Sequence, residues 1–225
     1  AHGSGITEKI YNELIGYGID AFTMGNHVWD KKDIMKNIEK FPNMVRPANY
    51  PPGTEGVGEL VVTTPSGAKV LIINLMGRVF FKEDLDCPFR GADVILKKYE
   101  HEKLDAILVD FHAEATSEKT ALGHYLDGRV SAVVGTHTQV PTADDQILSG
   151  GTAYITDVGP VAAKDSVIGV VSKGPLQGFL TQKPGGKFDI PETGLCSVNG
   201  VLITVDPATK KATSMRRVYK EVEIR

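Results

Sequence analysis

Three short apolar segments of the chain each end in a polar segment that carries a histidine. The segments and their histidines are residues 21–24 with His27, residues 106–109 with His112, and residues 132–134 with His137. Short apolar runs that alternate with helical patterns predict a layered α/β fold. The carboxyl ends of strands in such sheets are where ligands bind, so we expect the three histidines to meet at one edge.

The remaining periodicity supports the same class of fold. Apolar spacing predicts helices near residues 6–17, 92–99 and 117–126, and a further helix that Asp30 caps, with Asp33 at the capping-box position. Turn signals at residues 65–67 and 206–209 predict two hairpins, the second of which closes the chain. Residues 44–50 are typical of a short strand. We expect one domain over residues 1–225.

Composition excludes several classes of function. A net charge of -3 and 25 basic against 28 acidic residues argue against an electrostatic nucleic-acid surface. The two cysteines, Cys87 and Cys196, are too few for a disulfide framework and favour a reducing cytoplasm. No apolar run is long enough to span a bilayer, so no membrane partner is expected. The sequence begins at an alanine and is interpreted as a processed product or a fragment.

The six histidines fall into two groups. Those predicted to be solvated or on a surface are His2, His101 and His124. The other three lie at strand ends, and one of them follows Asn26 directly, so a shared metal site explains them better than separate structural roles. Imidazole and amide ligands suit Mn, Fe or Zn, and no cysteine set of a structural zinc site is present.

Other polar residues near these strand ends have two open interpretations each. Asp110 and Glu114 are predicted either to orient His112 or to serve as a strand-end cap and a solvated acid. Asp157 either borders the site or terminates its strand. Arg46 and Arg78 could bind a phosphate, although surface ion pairing is the favoured role. Trp29 is expected to pack against the loop of residues 25–27 and support it.

Longer motifs carry a family resemblance. Residues 25–27 (GNH), the isolated His112 and residues 135–138 (GTHT) resemble the later motifs of calcineurin-like metallophosphoesterases, in the same order. The more specific strings resemble bacterial YmdB-like phosphodiesterases over nearly the whole chain. These strings are residues 23–30 (TMGNHVWD), 45–49 (VRPAN), 109–119 (VDFHAEATSEK) and 154–159 (YITDVG).

The resemblance implies a four-layer α/β/β/α sandwich and a centre of two divalent metal ions. It implies that Asn26, His112 and His137 ligate one ion, and that His27 stabilises charge or protonates the leaving oxygen. The implied reaction is the hydrolysis of a small phosphodiester, a 2′,3′- or 3′,5′-cyclic nucleotide, by attack of a metal-activated hydroxide. A homo-oligomer is a possible assembly.

Two departures from the family pattern limit these expectations. The family's first strand, helix and second strand, with their metal-binding acids, are expected to be missing, which makes the fold N-terminally truncated. Gln139 stands where the family has a histidine, so it is at best a poor ligand for the second ion. At most one well-formed metal site is therefore expected, with impaired activity. A binding or regulatory protein on a degenerate scaffold, and a hydrolase with one metal ion, remain as alternatives.

Overall fold

The computed structural model describes residues 4–183 and 189–225, which form five α-helices and eleven strands. The helices are α1 (Glu8–Gly16), α2 (Lys32–Asn37), α3 (Pro88–Lys98), α4 (Thr116–Leu126) and α5 (Lys173–Thr181). The strands are β1 (Phe22–Thr23), β2 (Met44–Val45), β3 (Glu59–Thr63), β4 (Lys69–Met76), β5 (Ala106–His112), β6 (Ala132–Thr136), β7 (Gln146–Ile147), β8 (Ala153–Ile155), β9 (Val161–Ala163), β10 (Gly194–Val205) and β11 (Ala212–Ile224).

A six-stranded sheet in the order β3-β4-β5-β6-β8-β7 forms the centre of the fold. Its four inner strands are parallel, and the two edge strands are antiparallel to their neighbours. The register pairs Met76 with His112 and His112 with Thr136. The carboxyl ends of β4, β5 and β6 therefore lie side by side, and this alignment places the histidine of β5 beside the end of β6.

Two smaller sheets flank this centre. Strands β1 and β2 pair in parallel, with Phe22 opposite Met44. Strands β9, β10 and β11 form an antiparallel sheet, in which β10 and β11 make the long closing hairpin. The predicted α/β class is thus confirmed, as are both predicted hairpins.

The main core lies between the central sheet and the helices α3 and α4. It contains Leu71 and Leu75 of β4, Val109 and Phe111 of β5, and Leu122 of α4, all almost fully buried. Such near-continuous apolar strands are typical of parallel sheets that are covered by other elements. A second cluster packs α1 and α2 against β1 and β2, with Tyr11, Ile34 and Phe41 at its centre.

Several element boundaries differ from the sequence prediction. The strand expected over residues 44–50 ends at Val45, and the chain then turns around the buried Arg46 side chain. Helix α3 begins earlier than predicted, with Pro88 in its first turn, where a missing N–H costs nothing. No described helix, within residues 4–183 and 189–225, is both long and apolar enough to cross a membrane.

The cap predicted for α2 is wrong. The N-cap residue is Lys31, which makes no side-chain capping bond. Asp30 instead pairs with His27, and Asp33 accepts a hydrogen bond from the backbone N–H of Glu8 at the start of α1. Both acids thus serve tertiary contacts that a local helix pattern does not reveal.

The core assignment predicts that replacing two helical leucines by alanine changes the free energy of unfolding by very different amounts. We expect Leu122→Ala to lower the free energy of unfolding by about 2–5 kcal/mol, because it removes a fully buried side chain and leaves a cavity. The same substitution at Leu180, which is 83% exposed on α5, should change it by less than about 0.5 kcal/mol. Urea unfolding measures both, and equal effects would contradict the assigned core.

Candidate metal centre

The loop after β1 brings Asn26 and His27 to the edge of the central sheet. A tight turn follows the strand, in which the N–H of Val28 donates to the carbonyl of Gly25. A Cβ atom on Gly25 would lie 2.2 Å from Nε2 of His112, so the loop reaches this position only because residue 25 has no side chain. The ring of Trp29 packs edge-on against Tyr50, as expected of a residue that supports the loop.

Three side chains from separate segments converge at this edge. Oδ1 of Asn26 lies 2.9 Å from Nε2 of His112. Nδ1 of His137 lies 3.1 Å from the same His112 nitrogen. The three predicted ligands of one metal ion are therefore neighbours, and the Phe81 ring lies beside both imidazoles.

The partners of His112 assign its tautomer. The hydroxyl of Thr136 donates its proton to Oδ1 of Asp110 at 2.8 Å. That hydroxyl can then only accept from Nδ1 of His112, at 3.0 Å, so Nδ1 carries the ring proton. Nε2 is left with a lone pair, and this lone pair points at Asn26 and His137.

The partner of His137 assigns its tautomer in the same way. Nε2 of His137 lies 2.9 Å from a carboxylate oxygen of Glu114 and donates its proton there. Nδ1 of His137 is left with the lone pair that faces His112. Glu114 was one of two residues considered for orienting His112, and the structure pairs it with His137 instead. Asp110 does act on His112, but through Thr136.

Burial keeps both imidazoles neutral. Burial lowers the pKa of His112 to about 3, with further lowering from the nearby His137 and Lys119. Burial also lowers the pKa of His137, although Glu114 acts in the opposite direction. Burial raises the pKa of Asp110 to about 6, against the hydrogen bonds from Thr23 and Thr136. Asn26, His112 and His137 therefore present three lone pairs with no proton between them, an arrangement that fits one cation.

His27 lies at the exposed mouth of the site. Its Nδ1 donates to Oδ2 of Asp30 at 2.8 Å. Burial acts to raise the pKa of Asp30, but hydrogen bonds from Ser4 and His27 outweigh it and hold this pKa below its usual value. His27 and the three converging residues border a cavity of about 230 Å³.

Gln139 borders the same cavity but lies outside the converging group. Its side chain is exposed, and the hydrogen bonds of the described residues do not join it to Asn26, His112 or His137. Across residues 4–183 and 189–225, no group of three or more His, Cys, Asp or Glu side chains has the spacing of a metal site. The candidate centre therefore consists of two imidazoles and one amide oxygen.

The two arginines and the three other histidines singled out from the sequence lie away from the candidate centre or outside the described residues. The Arg46 guanidinium is buried and donates to the carbonyls of Pro47, Thr54 and Glu55, so the favoured role in surface ion pairing is wrong. Arg78 is exposed, and its backbone N–H donates to Glu118. His101 and His124 are exposed, as predicted, and His2 lies outside the described residues.

Sequence reasoning missed Thr136 and Lys119. Thr136 lies within the GTHT motif, but the motif does not reveal its role, because that role depends on the register between β5 and β6. Lys119 did leave a signal: it shares the buried stripe of α4 with Leu122 and Leu126, at spacings of three and four. A lysine on the apolar face of a helix indicates a buried charge with a partner.

Known proteins resemble this chain over almost its full length. It is 50% identical to a "2',3'-cyclic-nucleotide 2'-phosphodiesterase" of Bacillus subtilis (strain 168), over 97% of this chain and 81% of that protein. It is 37% identical to a "Putative phosphatase/phosphodiesterase" of Mycoplasma pneumoniae, over 93% of this chain and 75% of the relative.

Two solved structures share the fold. A "hypothetical protein" from Thermus thermophilus has a TM-score of 0.88 at 41% identity, covering 98% of this chain and 84% of the other. A "novel phosphatase" from Mycoplasma pneumoniae has a TM-score of 0.89 at 34% identity, covering 100% of this chain and 80% of the other. The family description "YmdB-like protein" matches residues 1–218, and the chain belongs to this family.

Proposed function

We propose that this protein is a metal-dependent phosphodiesterase that hydrolyses cyclic nucleotides of the 2′,3′ or 3′,5′ type. The observation that carries the proposal is the convergence of three donor atoms, Oδ1 of Asn26, Nε2 of His112 and Nδ1 of His137, at the carboxyl edge of the sheet. The names of the relatives support a hydrolase of the phosphodiesterase class. The Bacillus relative supports a cyclic nucleotide as the substrate.

The proposed metal site holds one divalent ion, of Mn, Fe or Zn. Nitrogen and amide-oxygen ligands suit these ions, and Glu114 and Asp110 fix the two imidazoles from behind, as carboxylates do in metal sites. A bound ion would supply Lewis-acid chemistry, polarising a phosphoryl oxygen and acidifying water. Gln139 borders the cavity as the candidate ligand of a second, weaker site, and a poor second site is the basis for expecting impaired turnover.

His27 is the proposed catalytic residue. Asp30 accepts the Nδ1 proton, so the ring is held in one tautomer and Nε2 is the nitrogen that can give or take a proton. When the ring is protonated, the adjacent carboxylate stabilises the imidazolium. Such a pair can protonate the leaving oxygen of a phosphodiester, which is general acid catalysis.

The cavity supports a small substrate, and the cysteines support a location inside the cell. The cavity has the size of a small ligand group rather than of a polymer, and most of its lining is polar: Asn26, His27, His112, Thr136, His137, Gln139 and Asp157. Cys87 and Cys196 are both free thiols, which supports the proposed location in a reducing cytoplasm. A homo-oligomer remains part of the proposal.

A second candidate function is a non-catalytic binding or regulatory protein on this scaffold. The observation that favours it is the exposed Gln139 at the position expected to serve a second ion, together with a donor set of only two imidazoles and one amide. The two candidates differ in whether metal binding is accompanied by turnover.

Activity assays with three variants test the enzyme. With Mn²⁺ present, we expect hydrolysis of 2′,3′-cyclic AMP or of bis(p-nitrophenyl) phosphate, and loss of activity with EDTA. His27→Gln should lower kcat about 10²–10⁴-fold with metal affinity retained. His112→Ala should lower metal affinity by more than the roughly 10–100-fold that loss of an orienting residue causes, because it removes a donor atom. His124→Ala, an exposed histidine on α4, is the control and should leave both quantities unchanged.

Two results would contradict the enzyme assignment. The first is metal content well below one ion per chain in the purified, reconstituted protein. The second is turnover that survives His112→Ala at the wild-type rate, since the activity would then come from a contaminant.

Gln139→His distinguishes the two candidate functions. Gln139 already borders the cavity, so the substitution places an imidazole where the amide stands. In an enzyme with a weak second site, it should raise the metal stoichiometry towards two and increase kcat. In a binding protein, metal occupancy can rise while turnover stays absent. Elemental analysis and the same phosphodiester assay provide both readouts.

A further inference from the structure

A buried ion pair lies directly beneath the candidate metal centre. The side chains of Lys119 and Asp157 are 1% and 2% exposed, and Nζ of Lys119 lies 2.8 Å from Oδ2 of Asp157. The same ammonium group donates to the backbone carbonyl of Thr136 at 2.7 Å. Lys119 thus joins helix α4 both to the end of β6 and to the segment that follows β8.

Asp157 connects the pair to the loop after β6. Its Oδ2 accepts from the backbone N–H of Thr138 at 2.9 Å and from the Thr138 hydroxyl at 2.8 Å. Its Oδ1 accepts from the N–H of Gly159 at 2.9 Å. Asp157 therefore fixes the residue that lies between His137 and Gln139.

The backbone of this loop needs such support. His137 has φ of 98° and Gln139 has φ of 59°, and both values lie in the region that favours glycine. Residues in sparsely populated backbone conformations persist only where their surroundings hold them there. At the base of the loop β6 and β8 approach so closely that a Cβ on Gly135 would lie 1.7 Å from the carbonyl oxygen of Thr156.

We infer that the Lys119–Asp157 ion pair is the positioning device of the metal centre, which holds the strained loop so that Nδ1 of His137 faces His112. Lys119 is a positioning residue in this role, because its contacts are with Asp157 and the carbonyl of Thr136 and not with the donor atoms. The inference rests on the proposed function in that it assigns His137 to a metal ion.

Stability alone does not explain the pair. Burying two charges carries a desolvation cost that their attraction often fails to exceed, and apolar residues of similar volume frequently replace such pairs without loss. Here the four further hydrogen bonds of the pair all go to the loop and strand ends at the site. The two charged groups therefore hold residues 136–138 and 159 in position.

The test compares Lys119→Met, the double variant Lys119→Met with Asp157→Asn, and the control Lys97→Met. The single variant leaves a buried carboxylate without its counter-charge and should be destabilised, whereas the double variant removes both charges and should recover part of that loss. Lys97 pairs with Glu100 on the surface of α3 and is 75% exposed, so it controls for the loss of a lysine. Each variant is made in the same 225-residue chain and titrated with Mn²⁺ by calorimetry, and hydrogen exchange of the Thr138 amide is measured without metal.

The inference predicts that both Lys119 variants bind Mn²⁺ about 10- to 100-fold more weakly than wild type, the usual effect of removing a residue that orients a ligand. The Thr138 amide should exchange faster in both, beyond any change in global stability, and Lys97→Met should match wild type. Wild-type Mn²⁺ affinity and Thr138 exchange in the folded double variant would overturn the inference. If wild type itself binds no Mn²⁺, the proposed function fails, and the exchange data alone decide whether Lys119 holds the loop.

Discussion

The hydrogen bond between Nδ1 of His112 and the Thr136 hydroxyl is the contact on which the candidate site depends. It exists because the parallel register of β5 and β6 pairs these two residues at the ends of their strands. Asp110 accepts a hydrogen bond from this hydroxyl, so the imidazole must keep its own proton on Nδ1 and present Nε2 to the cavity. A shift of one residue in this register would turn the side chain of His112 to the other face of the sheet. The chemistry of the site is thus a consequence of strand pairing.

Other parts of the fold bring two further donor atoms close to Nε2 of His112. Gly25 allows the loop after β1 to approach within contact of the ring, which places the Asn26 oxygen beside Nε2. The strained loop after β6 brings Nδ1 of His137 to the opposite side, with Glu114 fixing its ring from the solvent side. His27 and Asp30 stand apart at the exposed mouth, where a proton can be exchanged with a substrate. The structure therefore separates groups that can hold a cation from a group that can move a proton.

The sequence predicts the framework of this arrangement and the identity of its donors, since apolar runs mark the strands and parallel strands share an edge. It does not predict the contacts that set tautomers. Thr136 has no periodic signal, and Glu114 could equally well face His112 or His137 until the loop conformation is known. Asp30 matches a helix cap locally, yet a tertiary pair with His27 takes precedence. Lys119 stands out only when the buried stripe of α4 is compared residue by residue, because a lysine is expected on the solvent face.

The central claim is that one divalent ion binds between Asn26, His112 and His137 through the atoms left unprotonated by their partners. The most direct measurement is an anomalous difference map from a crystal of the protein grown with Mn²⁺. We expect a peak within about 2.0–2.3 Å of Oδ1 of Asn26, Nε2 of His112 and Nδ1 of His137, distances typical of nitrogen and oxygen ligands. A manganese peak elsewhere in the cavity, or contact through Nε2 of His137 instead of Nδ1, would contradict the assignment.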